Sequence, residues 1–447
     1  MGMAIMGIFI GCIYAWCTSS MVWSSILGLS LLGLTGYCTV TDAFTKAISN
    51  STVQLIFFML VFASIASICG LTDVIADYII TRKIAKGRPW VLSFILIFAC
   101  YVASALVDPI PAILICWGFL YTICKEVGYK PYEKWPELMV VGIVYGSIMG
   151  FTLFPFKVAV VANYGLLAAA MGVKTVDFSY LSFMVFAFIF GVACMVLYLL
   201  MCKYFLRVDV SKLTEVDLTQ KERAKMDGYQ KIGLWLLFGL IFGMLLENFL
   251  PAGSYIGTAL KSFGTVGVVV FFIGIAVYIP YKGKPYMTFK KMADEGIAWN
   301  LVFMIAAAMT LSTALVADGA GFKAYLIKVI TPLMGGTSSI VFISAFLIAA
   351  LILTNFINNV AVSAIMIPVM YPFSQSLGFN PIAVTAVFIF MTDMAIMLPS
   401  ASPSGAMIHG NREWITGVHA IKYAVETMIL TAIAGVVIGI PLAMALF

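Results

Sequence analysis

The chain is predicted to be an all-α polytopic membrane protein built from two inverted repeats, each with five transmembrane spans and one re-entrant hairpin. Three observations lead there. The first is composition: of 447 residues, 63% are hydrophobic and only 10% are charged, a balance that soluble globular domains do not have. The second is a set of polar interruptions inside apolar segments, two in each half. Asp108-Pro109-Ile110-Pro111 interrupts the run from Trp90 to Cys124, and a stretch from Gly146 to Lys157 interrupts the next. In the second half three asparagines, Asn355, Asn358 and Asn359, interrupt the run from Ala349 to Ser376, and Leu398 to Gly405 interrupts its successor. Such paired breaks in corresponding positions point to a transporter's binding site. The third is the placement of basic residues, which follows a membrane topology.

The elements follow in order. Residues 3–18 and 22–38 are two apolar spans, and Thr41 to Asn50 is a mixed-polarity piece that suits the interface. No Lys or Arg occurs in the first 40 residues, so no basic leader of a cleaved signal peptide is expected. A long span, 52–80, ends at Arg82, Lys83, Lys86 and Arg88. The first hairpin, about 91–123, is followed by Lys125, Lys130 and Lys134. Both of its flanks are basic, so it enters and leaves on one side. A broken helix at 136–172 and a span at 179–202 complete the first repeat, 1–202. Residues 203–231, with seven basic and five acidic side chains, form a cytoplasmic linker.

The second repeat, 232–447, runs through spans at 232–250 and 263–281, an amphipathic basic piece from Lys282 to Glu295, and a span at 297–317. A hairpin at about 338–373, a broken helix at 382–409 and a last span at 423–447 follow. With 82–88, 125–134, 203–231, 282–291 and 412–422 inside, twenty of the 26 Lys and Arg are cytoplasmic. Lys46, Lys174, Lys261, Lys323 and Lys328 are then outside, and Lys157 falls within the membrane. The first hairpin opens inward and the second outward, with both termini outside a cell (plasma or inner) membrane.

Half-helices that meet at the midplane present N–H groups to anions and carbonyls to cations. An asparagine amide offers an oxygen to a cation and an NH2 to a carboxylate, so Asn358 and above all Asn359 are candidate ligands. Ser402, Pro403 and Ser404 stand at the second break, where small residues and proline leave backbone groups within reach. The nine cysteines lie mostly in apolar runs without metal or disulfide spacing. His409 and His419 lie near the cytoplasmic face. No cluster of nucleophiles or metal ligands suggests an enzyme, and the basic residues track topology rather than nucleic acid.

At these residues the chain resembles a family. Thr354-Asn355-Phe356-Ile357-Asn358-Asn359-Val360, onward to Pro368, resembles the Ser-Asn-Thr hairpin motif of the divalent anion/sodium symporters, within the broader ion transporter superfamily. Leu398 to Ala406 resembles the Leu-Pro-x-x-Thr-Pro-Pro-Asn stretch that follows that motif. The resemblance implies an elevator-type transporter of di- or tricarboxylates or sulfate, coupled to Na+ or exchanging, with no cofactor besides that ion, and forming a homodimer. It implies one Na+ site per hairpin, here with Asn355, Asn359 and Ala401 as ligands in the second half. Family members usually carry one more N-terminal helix, so the chain is expected to start at the repeat itself.

Two departures shape the expectations. Asn358 and Val360 stand where Ser and Thr are usual. In the first half Val107-Asp108-Pro109 replaces Ser-Asn-Thr, and Phe154-Pro155-Phe156-Lys157 replaces a small-residue loop. Intramembrane acids and bases come with partners. Asp108 and Lys157 are therefore expected to pair, with the ammonium in place of the first cation and Lys157 helping to hold the anion. Alternatively Asp108 exchanges protons, which favours a cation/proton antiporter; an inorganic oxyanion transporter is the other rival. Asp318 is read as a helix-end residue, and Asp393 as a deeper acid in reach of the hairpin.

Overall fold

The computed structural model describes residues 1–71, 74–75, 78, 87–215, 226–249, 255–317, 339–399 and 401–447. Arg82, Lys83, Lys86, residues 216–225, Asp318, Lys323, Lys328, residue 338, Ser400 and the side chain of Lys261 lie outside the described residues. Almost everything described is helical. The first half runs through α1 (Gly2–Thr18), α2 (Met21–Leu32), a short α3 (Val40–Ser49) and α4 (Ser51–Ile68). Thr39 and Asp42 form a capping box on α3, and the Asn50 side chain accepts from Thr52 N and Val53 N at the start of α4. Side-chain oxygens of this kind satisfy N–H groups that a helix leaves open. The expected span 52–80 is not one helix: α4 ends at Ile68, and Gly70 turns the chain with φ +65°, a conformation that glycine adopts without strain.

Next come α5 (Pro89–Leu106) and α6 (Pro109–Val127), separated only by Val107 and Asp108. Pro109 disfavours a helical residue before it, yet fits the first turn of a new helix. Then α7 (Lys134–Phe151) and α8 (Val158–Met171) flank a break at 152–157, and α9 (Tyr180–Leu200) runs on into a wide turn at Met201–Phe205.

The second half has the same order of helices. It comprises α10 (Gly228–Phe249), α11 (Tyr255–Tyr278), a short α12 (Phe289–Gly296) and α13 (Trp299–Val316). Then α14 (Ser339–Leu353) and α15 (Asn359–Ser376) flank residues 354–358, and α16 (Pro381–Asp393) and α17 (Pro403–Gly410) flank 394–402. Helix α18 (Gly417–Ala434) and its continuation α19 (Ile440–Leu446) close the chain. A two-residue ribbon, Pro280–Tyr281 with Lys284–Pro285, precedes α12.

Among the described residues six helices are long and apolar enough to cross a membrane, and a seventh span arises if α12 and α13, bent by 74°, count as one. Both arms of the first hairpin are among the six. At 1.5 Å per residue each is about 27 Å long. The remaining apolar helices, α1, α2, α8, α14 and α16 among them, are shorter.

Helix α7 lies in the middle of the bundle, buried from Trp135 to Gly150. It packs against α5, α6, α9 and α18. Three glycines four residues apart let it approach α5, the small-residue device of membrane helices. A methyl at Gly146 would stand 2.6 Å from the Ile97 carbonyl oxygen, and one at Gly150 only 2.0 Å from that of Tyr101. At Gly142 it would meet the Tyr198 ring at 2.7 Å. Gly150→Ala is therefore expected to destabilise the fold by about 1–3 kcal/mol or more. Gly118→Ala, where nothing lies within 4 Å, should leave stability unchanged. Thermal unfolding of the two purified variants in detergent checks this, and equal melting temperatures would contradict it.

Candidate functional site

Four helices begin at the two pairs of breaks, and each begins at a residue singled out by sequence. Asp108 is the N-cap of α6, Lys157 of α8, Asn358 of α15 and Ser402 of α17. Four helix N-termini thus start from the junctions, and each carries the partial positive charge that favours anions. The junctions are also knitted across the two halves. Helix α8 packs on α15 and α16, while α17 packs on α6 and α7.

At the first junction α5 ends with open carbonyls. The Lys157 ammonium, only 8% exposed, donates to two of them: to Val107 O at 2.8 Å and to Ser104 O at 3.3 Å. A cation on the last carbonyls of a helix satisfies orphan acceptors and the negative end of the dipole together. The expected ion pair between Asp108 and Lys157 does not form. Asp108 is exposed, and its carboxylate turns to its own helix and accepts from Ile110 N at 3.2 Å. The reason is local: the ammonium finds carbonyls, and the acid finds the free N–H groups behind Pro109. Ser104 and Ser147 close the junction. Ser104 Oγ donates to Ser147 O at 2.7 Å, and Ser147 Oγ lies 3.3 Å from Ser104 Oγ.

At the second junction the amides hold the two breaks together. Asn355, fully buried, donates to Leu351 O and Met394 O at 2.8 and 3.2 Å, and accepts from Met397 N at 2.8 Å. It is a staple between hairpin and broken helix, so its side chain is already engaged where a cation ligand was expected. Thr354 Oγ1 lies within hydrogen-bond distance of Thr392 O (2.6 Å) and Asn359 Oδ1 (2.8 Å), with one proton to give to either. The Asn359 amide in turn donates to Asp393 Oδ1 at 3.4 Å. Asn358 caps α15 by accepting from Val360 N. Ser402 donates to Ala395 O at 2.5 Å and accepts from Gly405 N. Pro403 and Ser404 form the first turn of α17, Pro403 exposed and Ser404 buried. Ala401 is buried, with its N–H on Leu398 O. His409 reaches back to Met397 O at 2.9 Å, a structural tie.

What is left open is Asp393. Its Oδ1 receives Asn359, but Oδ2 is enclosed by protein and has no hydrogen-bond partner among the described residues. The first junction therefore holds a tethered ammonium, and the second holds a carboxylate oxygen without a partner among the described residues. The sequence places Asp393 as a deeper acid in reach of the hairpin, beside asparagines that are the candidate ligands. The signal was there, since it is the one acid in the apolar stretch from Asn380 to His409, but asparagines at a helix break draw attention first.

A second cluster, not foreseen, fastens the far end of the first hairpin to the segment after α17. Glu137, 1% exposed, meets His419 Nδ1 at 2.8 Å through both carboxylate oxygens and lies 3.4 Å from Tyr423 Oη. Tyr121 stacks on Trp414 at 5.0 Å and receives Asn411 Nδ2 at 2.6 Å, while Tyr132 donates to Arg412 O. His419→Ala leaves a buried acceptor short of its donor, which costs about 1–3 kcal/mol. Adding Glu137→Gln should recover part of that loss. Melting curves of the single and double variants check it, and an unchanged single variant would show that the contact contributes nothing.

Comparison with known proteins agrees with this architecture. The chain superposes on the YdaH transporter of Alcanivorax borkumensis with a TM-score of 0.62, over 90% of this chain and 88% of that one, at 15% identity. That likeness is one of fold. Over 114 residues, 26% of this chain and 18% of the relative, it is 28% identical to an uncharacterised transporter of Synechocystis. Over 168 residues, 34% of this chain and 27% of the relative, it is 25% identical to human solute carrier family 13 member 2. The chain thus matches less than a third of the length of either relative. The family model described as citrate transporter matches residues 9–279, more than half of the chain, and the protein belongs to that family of membrane transporters.

Proposed function

We propose that the protein is a secondary active transporter of small organic anions, di- or tricarboxylates such as citrate and succinate, driven by one coupling cation. The observation that carries this reading is Lys157, whose ammonium rests on the Val107 and Ser104 carbonyls at the end of a broken helix. Open carbonyls at such a break suit a cation. Lys157 places a tethered ammonium there, which leaves the second junction for an exchangeable ion. Asp393, with one oxygen unpartnered, is the group that would take it, Na+ or a proton, beside Asn359. The four helix N-termini and the Lys157 charge favour an anion between the junctions.

The two halves act as inverted repeats. The same order of helices in each, and the reciprocal packing of α8 on α15 and α17 on α6, support this. The hairpins and broken helices move together as an elevator against a scaffold that pairs two copies in the cell membrane. The basic stretches stay cytoplasmic and both termini outside, which the bias of Lys and Arg supports. An antiporter working through Asp108 finds less support, because that residue is an exposed helix cap.

Counterflow tests the substrate class. Proteoliposomes preloaded with unlabelled citrate should accumulate labelled citrate and labelled succinate but not labelled sulfate. Accumulation of sulfate alone would move the assignment to an inorganic oxyanion.

A further inference from the structure

A cavity of about 510 Å³ opens between α3, α4, α13 and the end of α8. Lys46 lines it from α3, and Lys174 lines it just past α8. Asn50, Thr310 and Thr313 add polar groups, and no acidic residue is among its lining. Neither nearby acid lines the cavity, although Asp42 still feels the Lys46 charge. Asp42, one turn before Lys46, is held in its capping box by Thr39 N and Oγ1 at 3.2 and 2.7 Å. Asp177 lines a separate cavity beside Tyr180 and Gly264. The Lys46 ammonium sits 4.5 Å over the Tyr37 ring, which steadies it without neutralising it.

We propose that this cavity is a second, outer binding site for a polycarboxylate, held between the Lys46 and Lys174 ammonium groups. Two cations lining one cavity suit an anion that carries two or more carboxylates, and the volume lies in the range of small-molecule sites. The place is distinct from the junctions. Helix α8 begins just after Lys157, and its wall of the cavity runs from Gly165 to Ala169, about 12–18 Å on along a helix. It is also a boundary. Gly165, on the cavity wall, brings α8 so close to α4 and α13 that a methyl there would meet Met309 at 2.2 Å and Thr52 at 2.5 Å. An anion that joins Lys46 to Lys174 thus bridges α3 to the helix that carries Lys157. It concentrates substrate at the entrance on the face that the basic residues assign to the outside. This inference rests on the carboxylate reading above.

The test is protection from acetylation, read lysine by lysine by mass spectrometry on the full chain in nanodiscs. Citrate should slow modification of Lys46 and Lys174 several-fold, with one shared half-protection concentration, relative to sodium chloride of equal ionic strength. The exposed Lys284 should be indifferent. In Lys46→Gln, protection of Lys174 should be lost. Unprotected lysines in a preparation that carries out citrate counterflow would overturn the outer site and leave the transport reading standing. Unprotected lysines together with failed counterflow of both citrate and succinate would overturn both.

Discussion

Lys157→Met is expected to transport carboxylate at less than about a hundredth of the wild-type rate. The ammonium satisfies two carbonyls inside a membrane protein, where water does not replace it. Each acceptor left bare costs about 1–3 kcal/mol, and each 1.4 kcal/mol is about tenfold in an equilibrium. The positive charge offered to the anion disappears as well. A fold defect alone would give the same loss, so a second variant separates the two. Lys157→Ala vacates the space of the ammonium and leaves the Val107 and Ser104 carbonyls facing it. Na+ should then rescue part of the activity, with a dependence steeper than in the wild type. Methionine at 157 with normal uptake would show that the ammonium is dispensable, and Lys157 would then be a helix cap and no more.

Asp393→Asn is expected to separate exchange from accumulation. The substitution keeps the shape and leaves an oxygen to accept from Asn359. It removes the ionisable oxygen that has no partner among the described residues. An enclosed, unpaired carboxylate is costly, so the folded protein should be as stable as the wild type or more so. Counterflow of labelled citrate should persist, because it needs no net movement of the coupling ion. Accumulation driven by a cation gradient should fall to the level seen with no gradient. Full gradient-driven accumulation by this variant would remove Asp393 from coupling. Loss of both activities in a stable protein would instead make it a substrate ligand.

The two variants differ in kind because the junctions differ. The first holds its cation covalently, on a side chain that belongs to the fold. The second holds an acid whose second oxygen has no partner among the described residues. Opposite charges at corresponding breaks make one half a fixed framework and the other a variable one.

The membrane class and the helical breaks are legible in the sequence because they have covalent causes. Apolar composition calls for spans, Pro109 and Pro111 mark where α5 must end, and Asn358 and Ser402 are side chains that cap helices. Partner choice is less legible. Lys157 was matched to the nearest acid in a comparable position, yet its partners are main-chain carbonyls, which every residue carries and no pattern announces. Asn355 reads as a ligand because amides bind cations, but packing turns it into a staple between two breaks. Asp393 stands out only once the structure shows that its neighbours satisfy one another and leave it over. The same holds for Glu137 and His419, 282 residues apart in sequence and 2.8 Å apart in space. The glycines of α7 could have been read as a close-packing stripe, but their partner, α5, is set by tertiary structure.

The most direct measurement is the concentration dependence of initial citrate uptake on the coupling cation, in proteoliposomes, with Na+ and H+ varied separately at fixed membrane potential. A tethered ammonium at the first junction and one open carboxylate at the second predict a Hill coefficient of about one, for one of the two ions. A coefficient of about two in the wild type, the sign of two exchangeable cations, would contradict the role given to Lys157. Independence from both ions would contradict the role given to Asp393.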